Sequence, residues 1–480
     1  MAAVLQHVIG GQLRPHQASR LDPVFNPALG DVIGEVPIDD VQAVDAAVQA
    51  AEAAFREWSA TPILERARVM FRYRELLEAH RRELAESVTR EHGKILSDAY
   101  NEVGRGIEVV ELAAGAPSLL KGEVLPEVAH GVDVTMLRVP LGVVAGITPF
   151  NFPAMIPLWM IPPAIVSGNT FVLKPSERTP LTSMRLLELL KEAGLPDGVV
   201  NLVHGGAPVV DALLTHPRIR AISFVGSQPV ADYVYRTASQ HHKRVQALGG
   251  AKNFHIVMPD ANLDLAVDAL MGSAYGSAGE RCLAGSVVVA VGDVADALVQ
   301  RLQDKASRLK VGNGLEAGIE MGPLIRAQHR ERVQGYIERG VAEGATLALD
   351  GRQHDMPSEG FFLGPTLFDR VEAHMTIAQE EIFGPVLSVI RRPSLEEAVT
   401  TANGSRFGNT ATIYTTSGKA ARYFRDHVQA GMLGVNIGVP APVAWFPFAG
   451  WKDSFYGDLH ATGMDAFWFY TERRVITARW

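Results

Sequence analysis

Apolar positions in this chain follow two rhythms. Up to about residue 117 the spacing is helical. Asp39-Asp40 caps a segment from Val41 to Trp58 in which Val41, Val44, Val48, Ala51 and Phe55 share one stripe, and further helices are expected at about 62–91 and 98–117. Ahead of them, residues 1–38 are short apolar pieces broken by Gly and Pro, a strand-and-turn lead-in. From Lys121 to Leu137 the alternation of Val124, Val128, Val132 and Val134 predicts a protruding strand pair. Beyond 140 the rhythm changes. Short apolar strands are expected near 141–147, 170–174, 199–203, 220–225 and 244–248, with helices near 154–167, 179–194, 207–214 and 228–240 between them. Strand–helix alternation at this spacing is the pattern of a doubly wound parallel sheet.

A second α/β alternation begins at 254–258. It runs through helices near 262–277, 293–309 and 326–343 to strands near 386–390 and 410–415. The tail from 443 is apolar and aromatic, with Trp445, Phe446, Phe448 and Trp451 followed by Phe467-Trp-Phe-Tyr470. Such an end docks on something, and a second subunit is the expected surface. The stretch from Val139 to Leu173 has no charged residue and is long enough for a membrane span. Pro140, Pro149, Pro153, Pro157, Pro162 and Pro163 interrupt it, so it reads as strand, tight loop, buried helix and second strand.

Composition narrows the class. At 480 residues the chain exceeds one core and should divide into two or three domains. A net charge of −8 and a pI near 6.0, without a basic stripe, exclude nucleic acid as the main partner. A single cysteine allows no internal disulfide and no multi-cysteine metal site, which fits a reducing, cytoplasmic compartment. The amino-terminal residues lack the basic and apolar regions of a secretory signal. No metal-binding, G-x-S-x-G or H-E-x-x-H motif is present.

That cysteine is the first candidate for chemistry. Cys282 lies in Tyr275-Gly-Ser-Ala-Gly-Glu-Arg-Cys282-Leu-Ala-Gly-Ser286, where small residues leave room for backbone N–H groups to face an oxyanion and Arg281 would favour the thiolate. A lone thiol can also be a small buried hydrophobe, so the surrounding pattern has to decide. The G-x-G-x-x-G fingerprint of dinucleotide folds is missing. In its place Lys174-Pro-Ser-Glu177 closes one strand, and a carboxylate there would accept from ribose hydroxyls and repel a 2′-phosphate, favouring NAD. Gly226-Ser227 closes a second strand and opens a helix whose amino end suits a pyrophosphate, with Ser227 as its cap. Gly249-Gly250 follows a third strand. Asn151, in Thr148-Pro-Phe-Asn-Phe-Pro153, carries an amide able to join the Cys282 backbone N–H in holding an oxyanion.

Thr148–Pro153, Lys174–Glu177, Phe224–Ser227, Gly249–Gly250, Gly279–Cys282 and Glu381-Ile-Phe-Gly-Pro385 resemble, in order and spacing, the motifs of the aldehyde dehydrogenase superfamily, over about Val8 to Trp480. The resemblance implies Cys282 as nucleophile and Asn151 as oxyanion donor. It places Phe150, Lys174, Ser176, Glu177, Gly226, Ser227 and Gly249 around NAD, and Glu381 with Phe383 at the nicotinamide ribose. It also implies an NAD-binding domain of residues 1–121 and 140–247, a catalytic domain of 248–440, and a small β oligomerisation domain of 122–139 with 441–480. A homodimer or homotetramer is expected.

One departure is informative. Hydrolytic members carry a Glu just before the Leu-Gly-Gly turn as the base that activates water, and here the position is Ala247. Alanine accepts no proton, so a Cys282 thioester should persist until a thiol arrives. Gly250-Ala-Lys-Asn253, Gly279-Glu-Arg-Cys282, the Arg105–Glu111 run and the ending Gly457-Asp-Leu-His…Arg479-Trp480 resemble the CoA-acylating methylmalonate-semialdehyde dehydrogenases. Phe254 and Leu283 depart from that group's usual His and Met. The likeness assigns Arg105 and Arg281 to the substrate carboxylate, which a planar guanidinium fork matches. Expected cosubstrates are NAD and coenzyme A. A dehydrogenase of another semialdehyde and a non-enzymatic scaffold protein are the alternatives; Cys282, Asn151, Glu177 and Glu381 weigh against the second.

Overall fold

The computed structural model describes residues 3–480. Its first sheet has eight strands in the spatial order Gln12–Arg14, His7–Ile9, Val200–Leu202, Thr170–Lys174, Val143–Ile147, Ile219–Val225, Arg244–Leu248 and Phe455–Gly457. The five central strands are parallel and the edges antiparallel. Their near-continuous apolar sequences follow from burial on both faces. The helices Gln42–Ala60 and Gln228–Gln240 cover one face, contributing Val44, Val48, Ala231 and Val234 to its core. On the other face lie Met155–Val166 and the helices between Ile63 and Ala114.

Met155–Val166 explains the uncharged stretch. All twelve of its residues are buried, as a helix apolar on every side must be. Its last carbonyls, Ile165 and Val166, accept from the Trp58 indole and the Arg66 guanidinium at 2.8 and 2.9 Å. No helix among the described residues is long and apolar enough to cross a membrane.

Chain order reverses between Val143–Ile147 and Ile219–Val225: the chain first builds outward through Thr170–Lys174, then returns to the opposite side. Loops leaving the carboxyl ends of strands at such a point diverge and leave a crevice, the usual seat of a dinucleotide. The second sheet, Thr346–Leu349, Thr366–Asp369, Val386–Arg392, Gly285–Val291, Asn253–Val257, Thr410–Tyr414 and Met432–Val435, is parallel except at its first pair. A third sheet pairs Thr471–Arg479, Val132–Pro140 and Glu123–Ala129.

The tail divides among several sheets. Trp451–Lys452 pairs with Phe407–Gly408, and Phe455–Gly457 extends the first sheet beside Arg244–Leu248. Phe448, Phe467, Phe469 and Tyr470 are buried in the core around Met155–Val166. Only Thr471–Arg479 joins the third sheet, while Trp445, Phe446, Trp451 and Trp468 stay exposed.

Candidate active site

Cys282 sits where the two large units meet. The helix Leu263–Tyr275 ends at Gly276, and Ser277, Ala278 and Gly279 follow with φ of 50°, 52° and 73°. Three left-handed residues in a row are strained for the first two and persist only where the surroundings hold them. At Gly279 the requirement is absolute, because a Cβ there would run into the Gly384 carbonyl. The cysteine loop therefore lies back to back with the Glu381–Pro385 loop. Beyond the cysteine, its carbonyl accepts from Asn253 Nδ2 and Asn409 Nδ2, both at 2.9 Å.

A cavity of about 300 Å³ opens in front of the sulfur, bounded by the helices Leu96–Ala114 and Met155–Val166 and by the Val439–Phe448 loop. Cys282, Arg105 and Arg281 all line it, as do Phe152, Trp159 and Phe448. The two arginines, far apart in sequence, thus face one space. Arg281 donates through Nε to Ser277 Oγ at 3.1 Å, through Nη1 to the Gly272 carbonyl at 3.2 Å and through Nη2 to Asp98 Oδ2 at 2.6 Å. Arg105 Nη1 lies 2.9 and 2.8 Å from the two Glu108 oxygens, and Nη2 donates to the Pro442 carbonyl.

Lys94 and Glu102 brace the floor. Both are buried and 2.7 Å apart, and Lys94 Nζ also donates to the Asn151 carbonyl at 2.6 Å. Glu102 Oε1 accepts from the Ala154 and Met155 N–H groups at 2.9 and 3.2 Å, capping the Met155–Val166 helix. Asn151 is buried, and its Nδ2 donates to the Glu280 carbonyl at 3.0 Å. That bond fixes the amide beside the cysteine loop and uses one of its two N–H groups.

The residues expected around NAD converge on the crevice. Lys174, Ser176 and Glu177 stand at the end of Thr170–Lys174, Gly226 and Ser227 at the end of Ile219–Val225, and Gly249 just past Arg244–Leu248. Lys174 Nζ donates to the Gly205 carbonyl at 2.9 Å and lies 3.4 Å from Glu177 Oε2. Burial pushes the Glu177 carboxyl upward, but the Lys174 and Arg178 charges outweigh it and hold the group below its ordinary range. Ser227 occupies the cap position of Gln228–Gln240 without spending its hydroxyl on the helix, contrary to the expected cap, so hydroxyl and helix amides remain for an anion. A Cβ at Gly250 would come within 2.6 Å of Glu381 Oε2, so only glycine lets that carboxylate lie against the turn, where Glu381 Oε1 accepts from the Ala251 N–H at 2.9 Å. Phe150 packs edge-on against Phe383 with centroids 5.8 Å apart. This donor set, an anion-binding helix end flanked by two carboxylates, fits a dinucleotide.

A family model, the aldehyde dehydrogenase family, matches residues 14–476. The chain belongs to the aldehyde dehydrogenase family. Among related aldehyde dehydrogenases, it is 57% identical to the malonate-semialdehyde dehydrogenase of Halalkalibacterium halodurans over 99% of this chain and 98% of that one. Identity to malonate-semialdehyde dehydrogenase 1 of Geobacillus thermodenitrificans is 58%, covering 99% of each. The solved methylmalonate-semialdehyde dehydrogenase of Oceanimonas doudoroffii superposes with a TM-score of 0.98 at 52% identity, over 100% of this chain and 99% of that one. A Sinorhizobium meliloti structure complexed with NAD gives 0.98 at 46%, over 100% and 98%.

Electrostatics of this aldehyde dehydrogenase depart from the sequence reading at one point. Burial, and next the Glu381 charge, push the Cys282 thiol up to about 12; the neighbouring backbone N–H groups and Arg281 oppose them and lose. Arg281 does not make the sulfur a thiolate, because burial outweighs the pull of a guanidinium already bonded to Asp98 and Ser277. Ala247 is fully buried in the core layer that includes Ala231 and Val234, a methyl among apolar neighbours. Sequence reasoning missed Asp98 and Lys94, gave Glu102 no part in the site, and quoted Ser277 only as one of the small residues before Cys282. Asn253 stood inside a quoted motif, yet nothing local marks it as the holder of the Cys282 and Ala284 carbonyls.

Proposed function

We propose that this aldehyde dehydrogenase oxidises malonate semialdehyde or methylmalonate semialdehyde with NAD, decarboxylates the acyl group and passes it to coenzyme A, giving acetyl-CoA or propionyl-CoA. One observation carries the reading: a nucleophilic cysteine and two arginines share a single cavity. The relatives' names point to the same substrates.

Lys174, Ser176, Glu177, Gly226, Ser227, Gly249 and Glu381, with Phe150 and Phe383, would hold NAD, which when bound supplies a hydride acceptor. Cys282 Sγ adds to the aldehyde carbon once its proton is lost, a step opposed by the raised pKa until bound ligands bring positive charge close. The second N–H of Asn151 and the backbone N–H groups at Cys282 hold the developing oxyanion. Arg105 and Arg281 orient the substrate by its carboxylate. Loss of hydride leaves a thioester on Cys282. Its persistence is favoured because Ala247 supplies no base, and the three carboxylates lining the cavity, Asp98, Glu102 and Glu108, are each committed to a cation. A thiol cosubstrate then takes the acyl group.

The third sheet supports self-association. Val124, Leu125 and Val475 on it are 64%, 64% and 62% exposed, and Trp480 89%. A second copy is the proposed cover, which light scattering checks as a dimer or tetramer that Val475→Glu weakens.

The deciding assay supplies each semialdehyde and NAD, with and without CoA, and reads NADH, carbon dioxide and product mass. Steady turnover should require CoA and yield the decarboxylated thioester, and Cys282→Ala should abolish NADH formation. Brisk release of free acid without any thiol would overturn the proposal.

A further inference from the structure

Both arginines that face the cavity already hold a carboxylate. Asp98 takes Arg281 and Glu108 takes Arg105, at 2.6 and 2.8 Å. Asp98, Arg105 and Glu108 all come from Leu96–Ala114, at spacings of seven and three residues that set them on one helix face. With Lys94 against Glu102, the cations and carboxylates around the cavity balance before any ligand arrives. A site selected only to grip an anion would leave its guanidiniums free, because each resident carboxylate competes with the incoming one.

The reaction proposed above gives these competitors a use. In the acyl-enzyme, the bond between the α-carbon and the carboxylate breaks, and carbon dioxide leaves. The electron pair moves into the thioester as an enolate, which a proton from water converts to the acetyl or propionyl group. The charge that the arginines recognise thus leaves the carboxylate during the step. Guanidiniums gripping it at full strength would stabilise the starting state more than the transition state and slow the loss of carbon dioxide. Three of the five Arg281 N–H groups are engaged by Ser277, Gly272 and Asp98, and Ser277 Oγ in turn donates to Asp98 at 3.2 Å.

We propose that Asp98 and Glu108 are positioning residues that keep Arg281 and Arg105 half-committed, so that the substrate carboxylate is recognised without being held against decarboxylation. This inference rests on the decarboxylating, CoA-acylating reading.

Asp98→Asn and Glu108→Gln test it, because each keeps an oxygen acceptor of nearly the same shape and removes only the charge. Arg281 retains its bonds to Ser277 and Gly272, and Arg105 its bond to Pro442. Each variant should lower KM for malonate semialdehyde about fivefold, the effect of removing one partly exposed charge competitor. KM for propanal, which has no carboxylate, should stay unchanged. With CoA present, the product mass should include a thioester that keeps its carboxylate, most abundantly in the double variant. An unchanged or raised semialdehyde KM, equal shifts for both aldehydes, or decarboxylated thioester as the only product of the double variant would each overturn the inference. Should the unmodified enzyme itself form no decarboxylated thioester, the functional reading falls and takes this inference with it. If it decarboxylates normally and the variants match it, this inference alone falls.

Discussion

The two sides of Cys282 are built on opposite electrostatic plans. On the cavity side, charges are kept and paired: Lys94 with Glu102, Arg281 with Asp98, Arg105 with Glu108. On the crevice side Lys174 pairs with Glu177, but along the wall of Lys252, Glu280, His329 and Glu381 no ion pair among the described residues is as close as those of the cavity. Among the described residues Lys252 Nζ, His92 Nε2 and Glu280 Oε2 find no hydrogen bond, and the last two lie 3.6 Å apart. Burial drives that wall toward neutrality, pushing Glu381 up to about 7 and Glu280 upward while taking Lys252 down to about 7 and His329 to about 4. Under the proposed function, the difference teaches how one cysteine would serve two ligands. A carboxylate arriving in the cavity would exchange with carboxylates already there, whereas a ligand in the crevice would meet a low-dielectric wall whose charges it can call up itself.

The contrast breaks most sharply on Lys94. Lys94→Met would strand the buried Glu102 charge, which costs about 3–5 kcal/mol. Urea unfolding should show that loss together with reduced turnover, since Lys94 also holds the Asn151 carbonyl. A fall no larger than that of a surface lysine would dissolve the distinction between the two sides.

Next in size is His329, on the crevice side, whose Nε2 donates to the Phe383 carbonyl at 2.7 Å. It is neutral in the folded chain down to about pH 4, where an unfolded histidine takes its proton near 6.5. The unfolded state therefore binds more protons between those values, and stability present above pH 6.5 is lost as pH falls. At pH 5 the contribution is about 2 kcal/mol. His329→Gln keeps a donor for Phe383 and should flatten the urea midpoint between pH 6.5 and 5; an unaltered slope would mean that the ring is not held neutral.

The smallest effect carries the opposite sign. Lys252 has no partner to lose, so Lys252→Met should raise stability, by about 1–2 kcal/mol. Destabilisation of that size would show that the amine is engaged after all.

Much of this molecule was legible in its sequence, and the limits have physical reasons. Helix Gln228–Gln240 and the strands Thr170–Lys174 and Arg244–Leu248 lie where periodicity put them, because doubly buried strands and amphipathic helices write their environment into local composition. Gly285–Val291 escaped: an apolar run without alternation carries no period. Asp98 escaped for another reason. Its pairing with Arg281 joins two distant segments, and no local pattern announces a contact made only by the fold. Adjacency misled in the case of Arg281 itself, which neighbours Cys282 in sequence while its charge points elsewhere. Of the tail aromatics, Phe448, Phe467, Phe469 and Tyr470 pack into this chain's own core while Trp445, Phe446, Trp451 and Trp468 stay exposed, a division that apolar composition does not mark.

That tail has a consequence for biosynthesis. Arg244–Leu248 leaves the ribosome long before Phe455–Gly457, the strand that finally covers its flank. Throughout that interval the nascent sheet offers a naked row of amides and carbonyls to any neighbouring polypeptide. Chaperone protection would matter most during that wait, and a product terminated early would stay sticky and so be marked for proteolysis.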